Sequence, residues 1–437
     1  MKAKRKTGLV FFPAFDWAIS ETHPEREERL LYTQDQVFEE GILDIEGLVE
    51  FKPVLATPKD VERVHFCVPD VEAVLTESHY ISAGGCKTIA DAVLGGKVDC
   101  GFALVRPPGH HAMRVVHGAR GFCNINIEAI MIEYSRQTYG VDRVAIVDTD
   151  CHHGDGTQNI YWHDPDTLFI SLHQDGRTLY PGSGFPREMG GPNALGTTIN
   201  IPLPPRTSKE GFLQVIDQLI LPILEEFQPE LIINSAGQDN HYSDPITAMN
   251  MCAQGYAKLT DKLRPHIAVL EGGYSIEGAL PYVNVGIILA LAGIDYSWVR
   301  EPDYQPAEIR QGDDVESLIS STCEDLLNLR QQCALKREKY LQGEEFVQRS
   351  KTIFYDTDSI IEEQKETVRV CRQCAGVVKI DSYADTGYHL LGIYVPRKGC
   401  GTCQELGRQW FEEGSVKRFD LVCLQERVAD EYHVKRK

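Results

Sequence analysis

The stretch Arg143–Thr157, RVAIVDTDCHHGDGT, decides how the rest of the chain is read. Val144, Ala145, Ile146 and Val147 make a short, near-continuous apolar run, the pattern of a strand covered on both faces of a parallel sheet. The run then breaks into Asp148, Asp150 and His152, spaced two apart, so that in extended geometry all three side chains point to one side. Two carboxylates and an imidazole aimed at one spot repel one another unless they take up protons or share a cation. Taken alone, the same triplet also fits a strand exit with one cap and two solvated side chains.

Working outward, the same arithmetic recurs. Apolar runs at Gly101–Val105, Thr167–Leu172, Leu231–Asn234 and Ile267–Leu270 alternate with Gly- or Pro-rich turns and helical stretches, which is an α/β pattern with a mostly parallel sheet. Helices are expected over Ser82–Leu94, over Gly211–Phe227 with a bend at Pro222, and over Ala253–Leu263, and a first core strand over Leu9–Phe12. Polar clusters follow these strands closely: His110 and His111 behind Pro107–Pro108–Gly109, then Asp239, then Tyr274 behind Gly272–Gly273. In open parallel sheets ligands bind beyond the carboxyl ends of the strands, so these clusters are expected to share one site. Asp150, His152 and Asp239 are then the metal ligands, with an open position for water and a hydrolytic reaction. Two oxygens and a nitrogen suit zinc, and also ferrous iron or cobalt.

The 437 residues exceed one typical domain, so one large core with an appendage is expected. A net charge of −20 gives no footprint for nucleic acid, and no run approaches the roughly 20 apolar residues of a membrane span. The expectation is a soluble protein with neither a membrane nor a nucleic-acid partner. Thirteen cysteines, mostly single, do not form a secreted disulfide framework and point to a reducing, cytoplasmic setting.

Ordered motifs run through residues 8–300: HPEREERL (His23–Leu30), RPPGHH (Arg106–His111), GFC (Gly121–Cys123), DTDCHHGDGT (Asp148–Thr157), SLH (Ser171–His173), YPGSG (Tyr180–Gly184), SAGQD (Ser235–Asp239) and LEGGY (Leu270–Tyr274). This set resembles the histone deacetylase family with its acetylpolyamine amidohydrolase and acetoin-utilisation relatives, bacterial in type. The resemblance implies an arginase-like three-layer α/β fold. It also implies a zinc-dependent amidohydrolase that cleaves the amide of acyl-lysine or a related acylated amine with metal-activated water. By the same resemblance His111 is general base and acid, His110 supports it, Asp148 and Asp155 orient the two histidines, and Tyr274 stabilises the oxyanion. A potassium site would use Asp148, Asp150, His152, Ser171 and Leu172. Gly121, Phe122, Tyr180, Ile246 and Gly272 would line the substrate tunnel. Ile246 stands where polyamine-selective relatives carry an acidic residue, which leans the substrate toward acyl-lysine. The alternatives are an acetylpolyamine amidohydrolase and an acyl-ligand binding module without turnover.

Composition changes after Arg300. The expected organisation is a deacetylase unit over 1–310, a helical connector over 311–367, and a zinc-ribbon-like unit over 368–437. In the last, Cys371, Cys374, Cys400 and Cys403 have the spacing of a closed structural zinc site, and Cys423 is expected in the core. Basic and acidic residues interleave there, so a mixed solvated surface is the reading, with a protein partner for this module and a homo-oligomer both left open.

Overall fold

Every residue of Cys100–Val105, Val144–Asp148 and Thr167–Gln174 is buried, as strands covered on both faces must be. The protein is described here from a computed structural model covering all residues except 16, 21, 22 and 344. Its strands, in chain order, are β1 Lys2–Phe12, β2 Glu46–Glu50, β3 Phe66–Cys67, β4 Cys100–Val105, β5 Val115–Val116, β6 Val144–Asp148, β7 Thr167–Gln174 and β8 Thr198–Leu203. These are followed by β9 Leu231–Ser235, β10 Ile267–Val269, β11 Phe346–Tyr355, β12 Ile360–Arg369, β13 Val378–Ala384, β14 His389–Val395, β15 Leu421–Glu426 and β16 Glu431–Arg436.

Eight strands form one sheet in the order β2-β1-β4-β10-β9-β6-β7-β8, and every neighbouring pair is parallel. Alternate residues supply two separate cores. Leu9, Phe102, Leu104, Ala145 and Val147 pack toward one face, where the helices Glu28–Glu39, Ala253–Leu263 and Leu280–Ala292 lie. Val10, Ala103, Val105, Ile146 and Ile233 pack toward the other, against Glu77–Leu94 and Ile127–Tyr139. The result is the expected three-layer α/β arrangement. Helix Ala253–Leu263 has the bounds read from its periodicity, and Gly211–Phe227 lies within one helical run. That run widens to a π turn over Ile216–Ile220, ahead of Pro222, which has no N–H to give the Gln218 carbonyl.

The expected connector over 311–367 is helical only in its first part, as Asp313–Gln331 and Cys333–Gly343. Phe346–Arg369 is instead the β11–β12 hairpin of a second sheet, ordered β11-β12-β13-β14-β15-β16. The reason for the misreading is chemical. The buried positions of β12 are Glu362, Gln364, Glu366 and Val368, so its alternation is polar inward at all but the last and carries almost no hydrophobic period. Their partners come from across the sheet: Tyr355 Oη and Ser382 Oγ donate to Glu362 at 2.7 and 2.6 Å, and Lys351 pairs with Glu366 at 2.9 Å.

This second sheet lies between helix Gly401–Glu413 and the first unit. Leu391, Ile393, Val395, Val422 and Leu424 face the helix, where Trp410 packs. Leu390, Leu421 and Cys423 face the other way, against Phe66, Val68 and Val115 of the first unit. The approach is close at Gly392, where a Cβ would stand 2.9 Å from the Phe66 ring. Among the described residues no helix is long and apolar enough to cross a membrane.

Candidate metal centre and catalytic site

The site is built at the carboxyl ends of β4, β10, β9 and β6, the four adjacent strands at the middle of the large sheet. Each hands over to a loop carrying one polar cluster: His110 and His111 after β4, Asp148–Asp155 at and after β6, Asp239 after β9, Glu271–Tyr274 after β10.

Asp150, His152 and Asp239 are buried with ligand atoms all within 4.8 Å of one another. His152 Nδ1 lies 2.8 Å from Asp239 Oδ2 and 3.2 Å from Asp150 Oδ1. Backbone amides hold the carboxylates: Gly272 N–H donates to Asp150 Oδ2 at 2.7 Å and Cys151 N–H to Asp239 Oδ1 at 2.7 Å. The close approach needs glycine. A Cβ on Gly237 would sit 2.0 Å from Asp150 Oδ2, and one on Gly272 2.6 Å from Asp239 Oδ2.

Burial and the neighbouring Asp150 carboxylate push the Asp239 acid up to about 6. Burial works against charge on His152, yet Asp239 and Asp150 outweigh it and raise the imidazole to about 10. The cluster thus demands positive charge at this spot, and a divalent cation on one nitrogen and two oxygens meets the demand that a proton otherwise meets. The residues fit a metal.

Two imidazoles flank it, each paired with a carboxylate. His110 Nδ1 is 3.1 Å from Asp148 Oδ2, and His111 Nδ1 is 2.8 Å from Asp155 Oδ1. Although burial opposes its charge, His110 is held well above the usual histidine range by Asp150 and Asp148. His111 goes the other way, down to about 3, through burial and the adjacent His110 cation, with Asp155 opposing. The two rings lie 4.1 Å apart between centroids, and their surroundings shift them in opposite directions, His110 toward the charged form and His111 toward the neutral one. Tyr274 is buried, its ring 5.8 Å from that of Phe122 and its N–H bonded to Asp244 at 2.8 Å.

Of the expected tunnel residues, Gly121 lies against the His111 ring, Phe122 against Tyr274, and Tyr180 edge-on to His111 at 5.2 Å. Gly272 abuts the metal carboxylates, whereas Ile246 is 39% exposed, its N–H on Asp244. Of the cation set, Asp148 pairs with Ser171 across β6 and β7, Leu172 follows in the same strand, and the Ser171 hydroxyl bonds His173.

Several supports had no role assigned from sequence. Glu271 Oε2 accepts from Gly109 N–H and His110 N–H at 2.7 and 3.1 Å, fixing the histidine loop. Arg120 donates to Asp155 Oδ2 at 3.0 and 2.6 Å. Arg29 grips the carbonyls of Gly273 and Glu271, and Glu25 sits between Arg29 and Arg106, all three buried. HPEREERL, RPPGHH and LEGGY contain Glu25, Arg29, Arg106 and Glu271, while Arg120 falls outside every motif; the partners lie far along the chain, so nothing local signals the pairing.

The four C-terminal cysteines also converge. Cys371 and Cys374 follow β12, while Cys400 caps helix Gly401–Glu413 and Cys403 lies in its first turn. Their sulfurs are within 4.8 Å of one another, with Cys371 Sγ 3.6 Å from Cys374 Sγ and 3.8 Å from Cys400 Sγ. Gln373 N–H, Gly376 N–H and the Arg369 guanidinium point at sulfur, an arrangement that stabilises thiolates.

Residues 68–284 match the model of the histone deacetylase domain. The chain is 45% identical over 325 residues to a probable deacetylase of Archaeoglobus fulgidus, covering 68% of this chain and 89% of the relative. It is 30% identical over 328 residues to acetoin utilization protein AcuC of Staphylococcus xylosus, covering 66% and 83%. It is 37% identical over 240 residues to a histone deacetylase-like amidohydrolase of Pseudomonas aeruginosa, covering 53% and 62%. The crystal structure of the HDA15 HD domain superposes with a TM-score of 0.65 at 26% identity, covering 78% of this chain and 99% of that one. Likeness over that length, with two histidine–carboxylate pairs around a three-residue cluster that could hold a metal, places this chain in the histone deacetylase family.

Proposed function

We propose that this protein hydrolyses the amide of acyl-lysine or a related acylated amine at a zinc-type site held by Asp150, His152 and Asp239. The observation that carries the reading is the pairing of two touching imidazoles with separate carboxylates, His110 with Asp148 and His111 with Asp155, beside those three ligands. A divalent cation bound there supplies Lewis acidity, polarising a carbonyl and lowering the pKa of water to about 7. His111, neutral and aimed by Asp155, accepts the proton from the attacking water and passes it to the departing amine. His110, charged against Asp148, stabilises negative charge as the tetrahedral species forms. Tyr274 donates a hydrogen bond from its hydroxyl to the oxyanion, and Phe122 and Tyr180 flank the aliphatic chain of the substrate.

Potassium is assigned to Asp148, Asp150, His152, Ser171 and Leu172, supported by the pairing of Asp148 with Ser171. A structural zinc is assigned to Cys371, Cys374, Cys400 and Cys403, supported by their convergence without a disulfide. Thirteen cysteines, none in a disulfide, support a cytoplasmic location.

The test is an amidase assay on an acetyl-lysine peptide and on acetylated spermidine and putrescine. Tyr274→Phe and His111→Ala are expected to keep their metal and lose turnover by about 10²–10³-fold. Full activity in either variant refutes the roles, and preference for the acetylated polyamines reassigns the substrate.

A further inference from the structure

The wall of the site is held by a part of the chain outside the large sheet. The tip of the β11–β12 hairpin, residues 356–359, lies against the turn that carries Gly121 and Phe122. Asp356 Oδ1 accepts from Gly121 N–H at 2.9 Å and from the Tyr180 hydroxyl at 2.8 Å. Beside it Asp358 accepts from Ala119 N–H at 2.6 Å, and Arg120 donates to the Phe354 carbonyl while also binding Asp155.

The turn needs such a hold. Gly121 and Phe122 are consecutive left-handed residues, φ +50° and +69°, and for phenylalanine that conformation is costly and persists only where surroundings impose it. Tyr180 has a similar need, since its ring is packed edge-on to His111 and His152 and its hydroxyl is bonded to Asp356. A carboxylate oxygen shared by two donors is a stronger anchor than a neutral acceptor.

We propose that Asp356, delivered by the C-terminal module, is a positioning residue of the substrate passage: it holds Tyr180 and the Gly121–Phe122 turn at the separation that grips the substrate's aliphatic chain. The inference rests on the reading of the site as an acyl-amine hydrolase. It also gives the appended module a role in the reaction, because the hairpin that carries Asp356 at its tip carries Cys371 just beyond its base. Asp356 acts on side chains that touch the substrate chain equally in the ground and transition states, so its loss is read in KM.

The experiment uses the full-length, metal-loaded protein and an acetyl-lysine substrate. Asp356→Ala is expected to raise KM about ten-fold, the worth of one charge-assisted hydrogen bond, and to leave kcat within about two-fold. Asp356→Asn keeps an oxygen acceptor for both donors without the charge and should recover part of the KM. Hydrogen exchange gives a readout independent of turnover: the peptide spanning 117–123 should exchange faster in Asp356→Ala, with Asp356→Asn between that variant and the wild type. Tyr180→Phe removes the same bond from its other side, should raise KM too, and should add little to Asp356→Ala. Unchanged KM and exchange in Asp356→Ala, or a fall in kcat matching the rise in KM, overturns the proposal. A wild-type protein that turns over no acyl amine refutes the function while the exchange data still judge Asp356.

Discussion

Glu25→Gln removes a charge and almost nothing else, and its consequence reaches both stability and turnover. The Glu25 carboxylate lies between Arg29 and Arg106, and all three side chains are fully buried. Arg106 spends its remaining donors on the carbonyls of Pro13, Ala14 and Trp17, and Arg29 on those of Gly273 and Glu271. With glutamine in place, two guanidinium groups face each other in the interior without a counter-charge. Breaking a buried pair by removing one partner costs about 3–5 kcal/mol. With an m-value of about 3 kcal/mol/M, that loss moves the urea midpoint of the catalytic unit down by about 1 M or more. Because Gly273 precedes Tyr274, kcat should also fall by about ten-fold, the worth of one hydrogen bond to a charged group. Urea unfolding followed by far-UV circular dichroism, with amidase kinetics on the same samples, checks both. A midpoint shift below about 0.3 M, roughly 1 kcal/mol, refutes the claim that Glu25 compensates two buried cations.

Gly237→Ala places a methyl group 2.0 Å from Asp150 Oδ2 and should abolish catalytic-metal binding while the fold is kept. Metal analysis should then drop from about two transition-metal equivalents to one, and replacing the four C-terminal cysteines should remove the other. A loss of both on Gly237→Ala alone would show that the two sites are not independent. Burial drives the His65 imidazole down to about 3, with Nδ1 on the Met113 carbonyl and Nε2 accepting from Asn126 N–H. The unfolded chain therefore binds a proton that the folded one refuses between about pH 6.5 and 3, so stability falls with acidification through that window by up to about 1.4 kcal/mol per unit from this group. His65→Gln should flatten the slope of unfolding free energy over pH 6 to 4, and an unaltered slope counts against His65 as its source.

Residue order was enough for the catalytic half because its signals are local. A parallel strand buried on both faces must be apolar throughout, so β4, β6 and β7 stand out as runs, and the polar residues that break them mark the strand ends. The period of two across Asp148, Asp150 and His152 placed three side chains on one side of the chain, and the structure brings two of them to Asp239.

What needed the tertiary structure is what depends on partners far away in sequence. β12 was unreadable because Glu362, Gln364 and Glu366 point inward, and partners such as Tyr355, Ser382, Lys351 and Arg349 make that burial acceptable. Glu25 looked like one charge among several in HPEREERL until folding set it between two buried arginines. The opposite shifts of His110 and His111 follow from which carboxylates and charges lie near which ring, a property of distance in space. The reach of the C-terminal hairpin to Gly121 and Tyr180 likewise spans 235 and 176 positions along the chain. Hydrophobic period is carried by neighbouring residues and survives in one dimension, whereas burial of charge is tolerated only through contacts that exist once the chain has folded.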